Sequence, residues 1–220
     1  MSISFIGRDV SDPWMAPIQT LQSPVAGRQS KLGHKCQETG QELGPRQKVD
    51  TGVNIDNAYD FVSLRNLHNG VFWDEIGNGA YPSAIDSWVL NHGTALVVNQ
   101  MDALVVHDFY AFSRYAGILL TQSPNLAEPG IRTVWGTGSN IDLENVQFGI
   151  VATATNYPGY EFTNVVVGAA PGLGQAAVQL RSGGTNPPDV IINGGAVQGT
   201  WSLGAFPPPE AGTLTVVNVI

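Results

Sequence analysis

One four-residue pattern recurs through the last three quarters of this 220-residue chain: an apolar residue, any residue, Asn or Asp, and usually another apolar residue. Taking the Asn or Asp as the reference, the copies follow one another at steps from 17 (108−91) to 37 (145−108) residues. These steps scatter about the twenty or so residues that one coil of a β-solenoid needs. The six copies are Leu64-Arg65-Asn66-Leu67, Val106-His107-Asp108-Phe109, Leu143-Glu144-Asn145-Val146, Phe162-Thr163-Asn164-Val165, Ile191-Ile192-Asn193-Gly194 and Val216-Val217-Asn218-Val219, with a weaker seventh at Val89-Leu90-Asn91-His92.

A second series of short apolar runs alternates with the first. Each run is followed by a copy of the four-residue pattern, as expected for a chain that winds through stacked parallel sheets. A series of βαβ units would also give parallel sheets, but it needs amphipathic helices between the strands. We expect no such helix between Asp60 and Ile220. The runs are 94–98, 117–121, 149–153 and 176–180.

Composition agrees with an all-β chain of short strands and tight turns. Charged residues make up 13%, hydrophobic residues 43%, and there are 26 Gly and 14 Pro. The sequence therefore predicts a single-stranded parallel β-helix of about six to seven rungs over residues 50–220. Residues 1–49 differ in character, with a polar middle, and we interpret them as an irregular leader that caps the first rung. A remnant of a longer parent sequence is the alternative for part of this leader.

Several classes of protein are disfavoured. The start lacks the pattern of a secretory signal, and nowhere do 18 apolar residues run together, so we predict no membrane span. A single Cys, Cys36, excludes an internal disulfide and a zinc cluster built from Cys. The net charge of −8 argues against nucleic acid as a partner and leaves neutral or weakly acidic glycans.

The last strand, residues 214–220, ends apolar with no polar segment after it. An apolar edge of this kind predicts association of copies of the chain through it, or coverage by a domain of a longer protein.

Several stretches of the sequence resemble a known family: Ile55-Asp56-Asn57, Leu64-Arg65-Asn66-Leu67-His68, Phe72-Trp73, Asn91-His92-Gly93-Thr94-Ala95-Leu96 and Asp102. The family they resemble is the pectate-lyase superfamily, which includes relatives of the polygalacturonases. The resemblance covers roughly residues 50–200 and implies a right-handed parallel β-helix that faces carbohydrate, outside the cell or on its surface. Most members of that superfamily cleave, bind or rearrange polysaccharides, and some are phage tailspikes or structural proteins.

The catalytic signatures of that superfamily are not reproduced. Polygalacturonases share an Asn-Thr-Asp, an Asp-Asp pair, a Gly-His-Gly and an Arg-Ile-Lys, whereas this chain has Asn140-Ile141-Asp142 and none of the others. Pectate lyases use carboxylates that bind calcium and an Arg base, and no equivalent set lines up. Acidic patches can recruit calcium, but no spacing here specifies a metal site, and we predict no cofactor.

The repeat itself predicts a candidate catalytic site, because alternate side chains of a strand face outward. Aligning the copies places Asp142, Glu144 and Glu161 on one exposed patch, with His107 one rung before. Two carboxyl groups about 5 to 9 Å apart are what glycoside hydrolysis requires, and crowding raises the pKa of one of them. The alternative is that these residues are only the solvated face of a strand. The same alignment places Arg65 outward as a candidate for substrate binding.

The recurring Asn side chains are predicted to face inward and to bond from rung to rung as a structural ladder. Asp108 replaces Asn in one rung and is expected to accept from its neighbours. The aligned residues are Asn66, Asn145, Asn164, Asn193 and Asn218.

Long connections after the second series carry aromatic residues that suit the apolar face of a sugar ring. We take Trp135, Tyr157, Tyr160 and Trp201 as candidates for substrate binding, with packing onto the core as the alternative. Three functions follow: an enzyme that cleaves polysaccharide as a glycoside hydrolase or a polysaccharide lyase, a glycan-binding β-helix that does not cleave, such as a spike or adhesin element, and a purely structural solenoid.

Overall fold

The structure, a computed structural model, describes residues 2–5, 51–56, 58–70, 83–123, 133–170, 172, 176–181, 186–198, 204–205 and 212–220. All of them belong to one unit of the chain, formed by Met1–Ile6 and Lys48–Ile220, whereas the other unit, Gly7–Gln47, lies outside the described residues. The predicted leader, residues 1–49, is therefore described only at its first strand.

The described part of the chain contains thirteen strands and one helix. The strands are β1 (Ser2–Phe5), β2 (Thr51–Asp56), β3 (Ala58–Gly70), β4 (Thr94–Val98), β5 (Met101–Phe112), β6 (Ala116–Leu120), β7 (Val134–Val146), β8 (Phe148–Ala152), β9 (Tyr160–Ala169), β10 (Ala176–Leu180), β11 (Asp189–Gln198), β12 (Gly204–Ala205) and β13 (Thr213–Val219), and the helix is α1 (Ser83–His92). The prediction of an all-β chain is confirmed.

The strands form two sheets. Sheet A has the order β1-β2-β4-β6-β8-β10-β12, and sheet B has the order β13-β11-β9-β7-β5-β3. From β2 onward each strand of sheet A is followed along the chain by a strand of sheet B. Neighbouring strands pair in parallel, except that β1 pairs antiparallel with β2. The predicted alternation of two strand series is therefore confirmed.

Apolar side chains from both sheets form one core. Two columns of aligned, buried side chains cross sheet A, and Leu104, Phe109 and Phe162 are among the large buried side chains that sheet B contributes. Since adjacent strands lie about 4.8 Å apart, the apolar side chains of each column stack on one another and exclude water along its length. The columns are Val53, Leu96, Ile118, Ile150 and Val178, and Ile55, Val98, Leu120, Ala152 and Leu180.

Helix α1 contradicts the expectation that no helix follows Asp60. It occupies the stretch that carries the weak seventh copy of the pattern, so Asn91 is a helical residue and not part of a strand. The Asn91 side chain donates to the Ser87 carbonyl at 2.6 Å, one turn earlier, and Val89 is buried. Gly93 follows directly and donates its backbone N–H to the Val89 carbonyl, which is a common way for a helix to end.

Each strand of sheet B turns a corner at a residue in the left-handed conformation that is aligned with those of its neighbours. The six residues fall at aligned positions of the sheet, and each has a positive φ. Asn and Asp adopt this conformation more readily than other side chains, and Gly does so without steric cost. The residues are Asn66 (φ 53°), Asp108 (55°), Asn140 (53°), Asn164 (56°), Gly194 (75°) and Asn218 (55°).

The corner makes two successive side chains face outward. In β7, Gly138 and Ile141 are buried, whereas Ser139 is half-buried and Asn140 is exposed. This in-out-out-in order is the physical meaning of the four-residue pattern, because the third residue takes the left-handed conformation. We call the part of each sheet-B strand before this corner the first arm and the part after it the second arm.

Side-chain hydrogen bonds connect three of the corners. Asn140 donates from Nδ2 to Asp108 Oδ1 at 3.0 Å, and Asn164 donates from Nδ2 to Asn140 Oδ1 at 2.9 Å. The expected acceptor role of Asp108 is confirmed. The expectation that the ladder faces inward is wrong, because Asp108, Asn140 and Asn164 are exposed.

Two copies of the pattern do not mark the corner of their strand, and their predicted alignment is wrong. The corner of β7 is at Asn140 and not at Asn145, and that of β11 is at Gly194 and not at Asn193. Asn145 instead belongs to a second corner at the end of β7, where it has a φ of 53° and donates to Ser113 Oγ at 3.1 Å.

The corner column predicts how Asn140 contributes to stability. Asn140→Ala removes two hydrogen bonds and replaces Asn with a residue that adopts the left-handed conformation less readily, so we expect the free energy of unfolding to fall by about 2 kcal/mol. Asn140→Gly keeps the favourable backbone conformation and should lower it by only about 1 kcal/mol. Urea unfolding measures the free energy of unfolding of both variants. Asn193→Ala is the matched control, since Asn193 is exposed but outside the column; an equal loss in that variant would contradict this account.

Candidate functional site

The observed register separates the three carboxylates that were predicted to share a patch. Glu161 is aligned with Thr137, five residues before Asp142 on the neighbouring strand. The corner at Asn140 lies between those positions, so Glu161 is on the first arm whereas Asp142 and Glu144 are on the second. The alignment failed because it used Asn145 in place of Asn140.

His107 and Arg65 also lie on the first arm. They form one aligned column with Ser139, and His107 Nδ1 shares a hydrogen bond with the Ser139 hydroxyl. Arg65 is exposed and donates from Nε to Ser63 Oγ at 3.2 Å. The predicted grouping of His107 with the carboxylates of Asp142 and Glu144 is therefore wrong.

Tyr160 is a core residue. Its side chain is 1% exposed, and its hydroxyl donates to the carbonyl oxygens of Leu104 at 3.2 Å and Thr137 at 3.3 Å. A buried Tyr160 has no surface with which to contact a substrate. The candidate Trp201 lies outside the described residues, and Trp135 and Tyr157 are exposed.

A group of polar residues comes together on the second arm. His68, Tyr110 and Asp142 occupy aligned positions on β3, β5 and β7, and Glu144 follows Asp142 by two residues on the same face. We call these four residues the second-arm cluster. The rings of His68 and Tyr110 are 5.8 Å apart, and the Tyr110 hydroxyl donates to Glu144 Oε2 at 3.0 Å.

The carboxyl group of Asp142 is held in its neutral form more strongly than usual. Asp142 is half-buried, and its Oδ1 is buried with no hydrogen-bond partner within the part of the chain that the structure describes. Burial raises the pKa of Asp142 above its usual value, and the negative charge of Glu144 raises it further. Asp142 therefore keeps its proton to a higher pH than an ordinary Asp does.

Tyr110 is a hydrogen-bond donor and not a base in this arrangement. Burial raises the pKa of its phenol, and the hydrogen bond to Glu144 and the charges of Glu144 and Asp142 raise it further. Tyr110 thus keeps its proton at neutral pH and uses it to orient the Glu144 carboxylate.

The spacing of Asp142 and Glu144 follows from strand geometry. Residues two apart on one face of a strand are separated by about 6.6 to 6.8 Å along the backbone. This backbone spacing is near the lower end of the separation of carboxyl groups, roughly 6.5 to 9.5 Å, at which one carboxyl group protonates a leaving oxygen while another activates water. The cluster can therefore support general acid and base chemistry.

His68 and Tyr110 were not among the predicted site residues. Had the pattern been aligned on Gly138-Ser139-Asn140-Ile141, the column through Asp142 would have included both of them. The signal was present in the sequence, but Gly138 occupies a position where the pattern expects a larger apolar residue.

Within the described ranges, no group of three or more His, Cys, Asp or Glu side chains could hold a metal ion. Nor does any helix there have the length and apolar character to span a bilayer.

No protein-family model, curated protein or solved structure matches this chain.

The position of Glu144 predicts how Asp142 titrates. Replacing Glu144 with Gln removes a neighbouring negative charge, so we expect the titration midpoint of the Asp142 carboxyl, followed by carbon NMR, to fall toward 3.8. Glu161→Gln is the matched control and should leave that midpoint unchanged. A midpoint of Asp142 that responds equally to both substitutions would contradict the separation of the arms.

The raised pKa of Asp142 also predicts a dependence of stability on pH. Below its ordinary pKa of 3.8 the carboxyl is protonated in both folded and unfolded states, and as the pH rises through the folded pKa ionisation opposes folding. Asp142→Asn should therefore raise the urea midpoint near neutral pH, and the gain should shrink toward zero below pH 3.8. A gain in the urea midpoint that stays the same at every pH would contradict its assignment to the ionisation of Asp142.

Proposed function

We propose that the chain is a right-handed parallel β-helix. The regular alternation of strands between sheets A and B supports this proposal, because a chain that adds one strand to each sheet in turn winds around a common core. The in-out-out-in corner of every sheet-B strand supplies a change of direction within the coil. The right hand follows from the strong preference of crossover connections between parallel strands of one sheet.

We further propose that the chain hydrolyses a polysaccharide at the second-arm cluster. The observation that carries this proposal is the pairing of Asp142 and Glu144 on one face of β7, with the pKa of Asp142 raised. Asp142 donates its proton to the glycosidic oxygen as the bond to the anomeric carbon breaks. Glu144 takes a proton from the water molecule whose oxygen attacks that carbon.

Tyr110 orients the base in this mechanism. Its hydroxyl fixes one oxygen of Glu144 at 3.0 Å and leaves the other oxygen to accept a proton from water. The backbone spacing of Asp142 and Glu144, about 6.6 to 6.8 Å, favours attack by water over a direct attack by Glu144, for which the carboxyl groups are about 5 to 5.5 Å apart. We therefore expect the anomeric configuration to be inverted.

The substrate that fits this site is a neutral or weakly acidic glycan. The net charge of −8 repels strongly anionic polymers, nucleic acids among them. A polymeric substrate of this kind would place the protein outside the cell or on its surface.

A glycan-binding role without cleavage is the second candidate. It is favoured by the exposure of Trp135 (38%) and Tyr157 (88%), since exposed rings can stack on sugars whether or not a bond is broken.

A depolymerisation screen with mass-spectrometric detection tests the hydrolysis. The wild-type protein should release oligosaccharides from at least one neutral or weakly acidic polysaccharide. Asp142→Asn and Glu144→Gln should each lower the rate by about 10² to 10⁴-fold, since each removes one proton-transfer group. The wild-type rate should decline as the pH rises above the pKa of Asp142.

Glu161→Gln is the matched control, because it removes a carboxylate from the first arm, and it should retain the wild-type rate. The absence of products from every polysaccharide would overturn the proposed hydrolysis. Equal losses in Glu161→Gln and Glu144→Gln would remove its assignment to the second-arm cluster.

A further inference from the structure

Three aromatic residues with large exposed surfaces lie at the same end of the first arm. Phe61 on β3 is 64% exposed, Trp135 on β7 is 38% exposed, and Tyr157, in the turn before β9, is 88% exposed. We call these three residues the aromatic stripe. Exposed aromatic side chains gathered at one place on a surface mark a binding site more often than scattered ones do.

The sheet register aligns the first two rings. Phe61 is aligned with Ala103 of β5, and Ala103 is aligned with Trp135 of β7. Phe61 and Trp135 are thus two strands apart, or about 9.6 Å. Ala103 between them is only 6% exposed, so a ligand would contact the two rings and not this methyl group.

Backbone hydrogen bonds place Tyr157 beside Trp135. The Asn156 N–H donates to the Val134 carbonyl at 2.8 Å, and the Gly136 N–H donates to the Gly159 carbonyl at 3.3 Å. The turn that carries Tyr157 is therefore attached to β7 on both sides of Trp135. The stripe crosses the sheet over about three strand spacings, or roughly 14 Å.

A row of mostly polar residues borders the stripe. The next outward position along the strands holds Ser63 on β3, Val105 on β5, Thr137 on β7 and Glu161 on β9. A stripe one ring wide beside hydrogen-bonding groups matches a pyranose chain, whose rings have apolar faces and polar edges. A protein partner would need a wider surface, since stable interfaces bury at least about 1,000 Å² in total.

The stripe and the second-arm cluster are separate surfaces. The left-handed residue Asn140 lies between Trp135 and Asp142 in β7, so the stripe is on the first arm and the cluster is on the second arm. A ligand on the stripe therefore leaves the carboxyl groups of Asp142 and Glu144 accessible.

We propose that the aromatic stripe is a second binding site, distinct from the second-arm cluster, that holds an extended chain of a neutral polysaccharide by stacking on Phe61, Trp135 and Tyr157. This proposal rests on the proposed function only for the class of ligand, which is a polysaccharide. Its role is to keep the protein on a polymer while other segments of that polymer reach the second-arm cluster.

Affinity gel electrophoresis of the full chain in xylan, glucomannan or polygalacturonate tests this inference. We expect xylan or glucomannan to retard the wild-type protein and polygalacturonate to do so less. Trp135→Ala should weaken binding by about tenfold, and Tyr157→Ala, at a residue too exposed to support the fold, by about threefold to tenfold. Val217→Ala is the matched control, because Val217 is an exposed apolar residue of the same sheet, and it should bind as the wild type does.

Asp142→Asn separates this inference from the proposed hydrolysis. Retardation that is kept in Asp142→Asn and lost in Trp135→Ala supports the stripe, whether or not the wild-type protein releases products. If products form but Trp135→Ala and Tyr157→Ala bind polysaccharide as the wild type does, the stripe inference fails and the hydrolysis stands.

Two further outcomes overturn the inference. One is the lack of retardation of the wild-type protein by both neutral polymers. The other is that the wild-type protein binds no polysaccharide but self-associates in sedimentation velocity, and that Trp135→Ala abolishes this self-association. That result would assign the stripe to contact with a second copy of the chain.

Discussion

One backbone conformation, repeated at aligned positions, determines which side chains sheet B presents. A left-handed residue in each strand makes two consecutive side chains face outward, and the alternation resumes on the other side of the corner. Because the corners stack, each arm keeps the same faces from strand to strand. The apolar columns between the sheets depend on this regularity, since a shift of one residue in any strand would turn its core side chains to the solvent.

The two strand series could be predicted from the sequence because apolar runs and a recurrent Asn are local signals. The assignment of corners in β7 and β11 could not, since at least one residue of the four-residue pattern is a Gly in each of them. At Gly138 an added β-carbon would lie 2.6 Å from the ring of Phe162, so that ring occupies the space of the expected apolar side chain. At Gly194 the corner has no side chain to mark it. In both strands another Asn, Asn145 in β7 and Asn193 in β11, fits the pattern better than the corner residue does.

In the candidate site, too, the relation between residues of one strand could be predicted from the sequence, whereas the relation between residues of different strands could not. Asp142 and Glu144 share a face because they are two residues apart on one strand, and this relation needs no knowledge of the neighbouring strands. The grouping with Glu161 and His107 depended on the register between strands, and the observed register replaces them with Tyr110 and His68. Burial could not be predicted either: Tyr160 and Tyr157 lie close in sequence, but one is in the core and the other is exposed.

The corner at Asn140 also makes the two arms independent in evolution and in protein engineering. A residue inserted into one arm would exchange the inward-facing and outward-facing side chains of that arm as far as the next corner. Beyond the corner, the side chains would face the same way as before. Substitutions that reshape the surface around Trp135 would therefore leave the second-arm cluster around Asp142 intact. A sheet divided in this way can acquire a new ligand on one side while it preserves an older activity on the other.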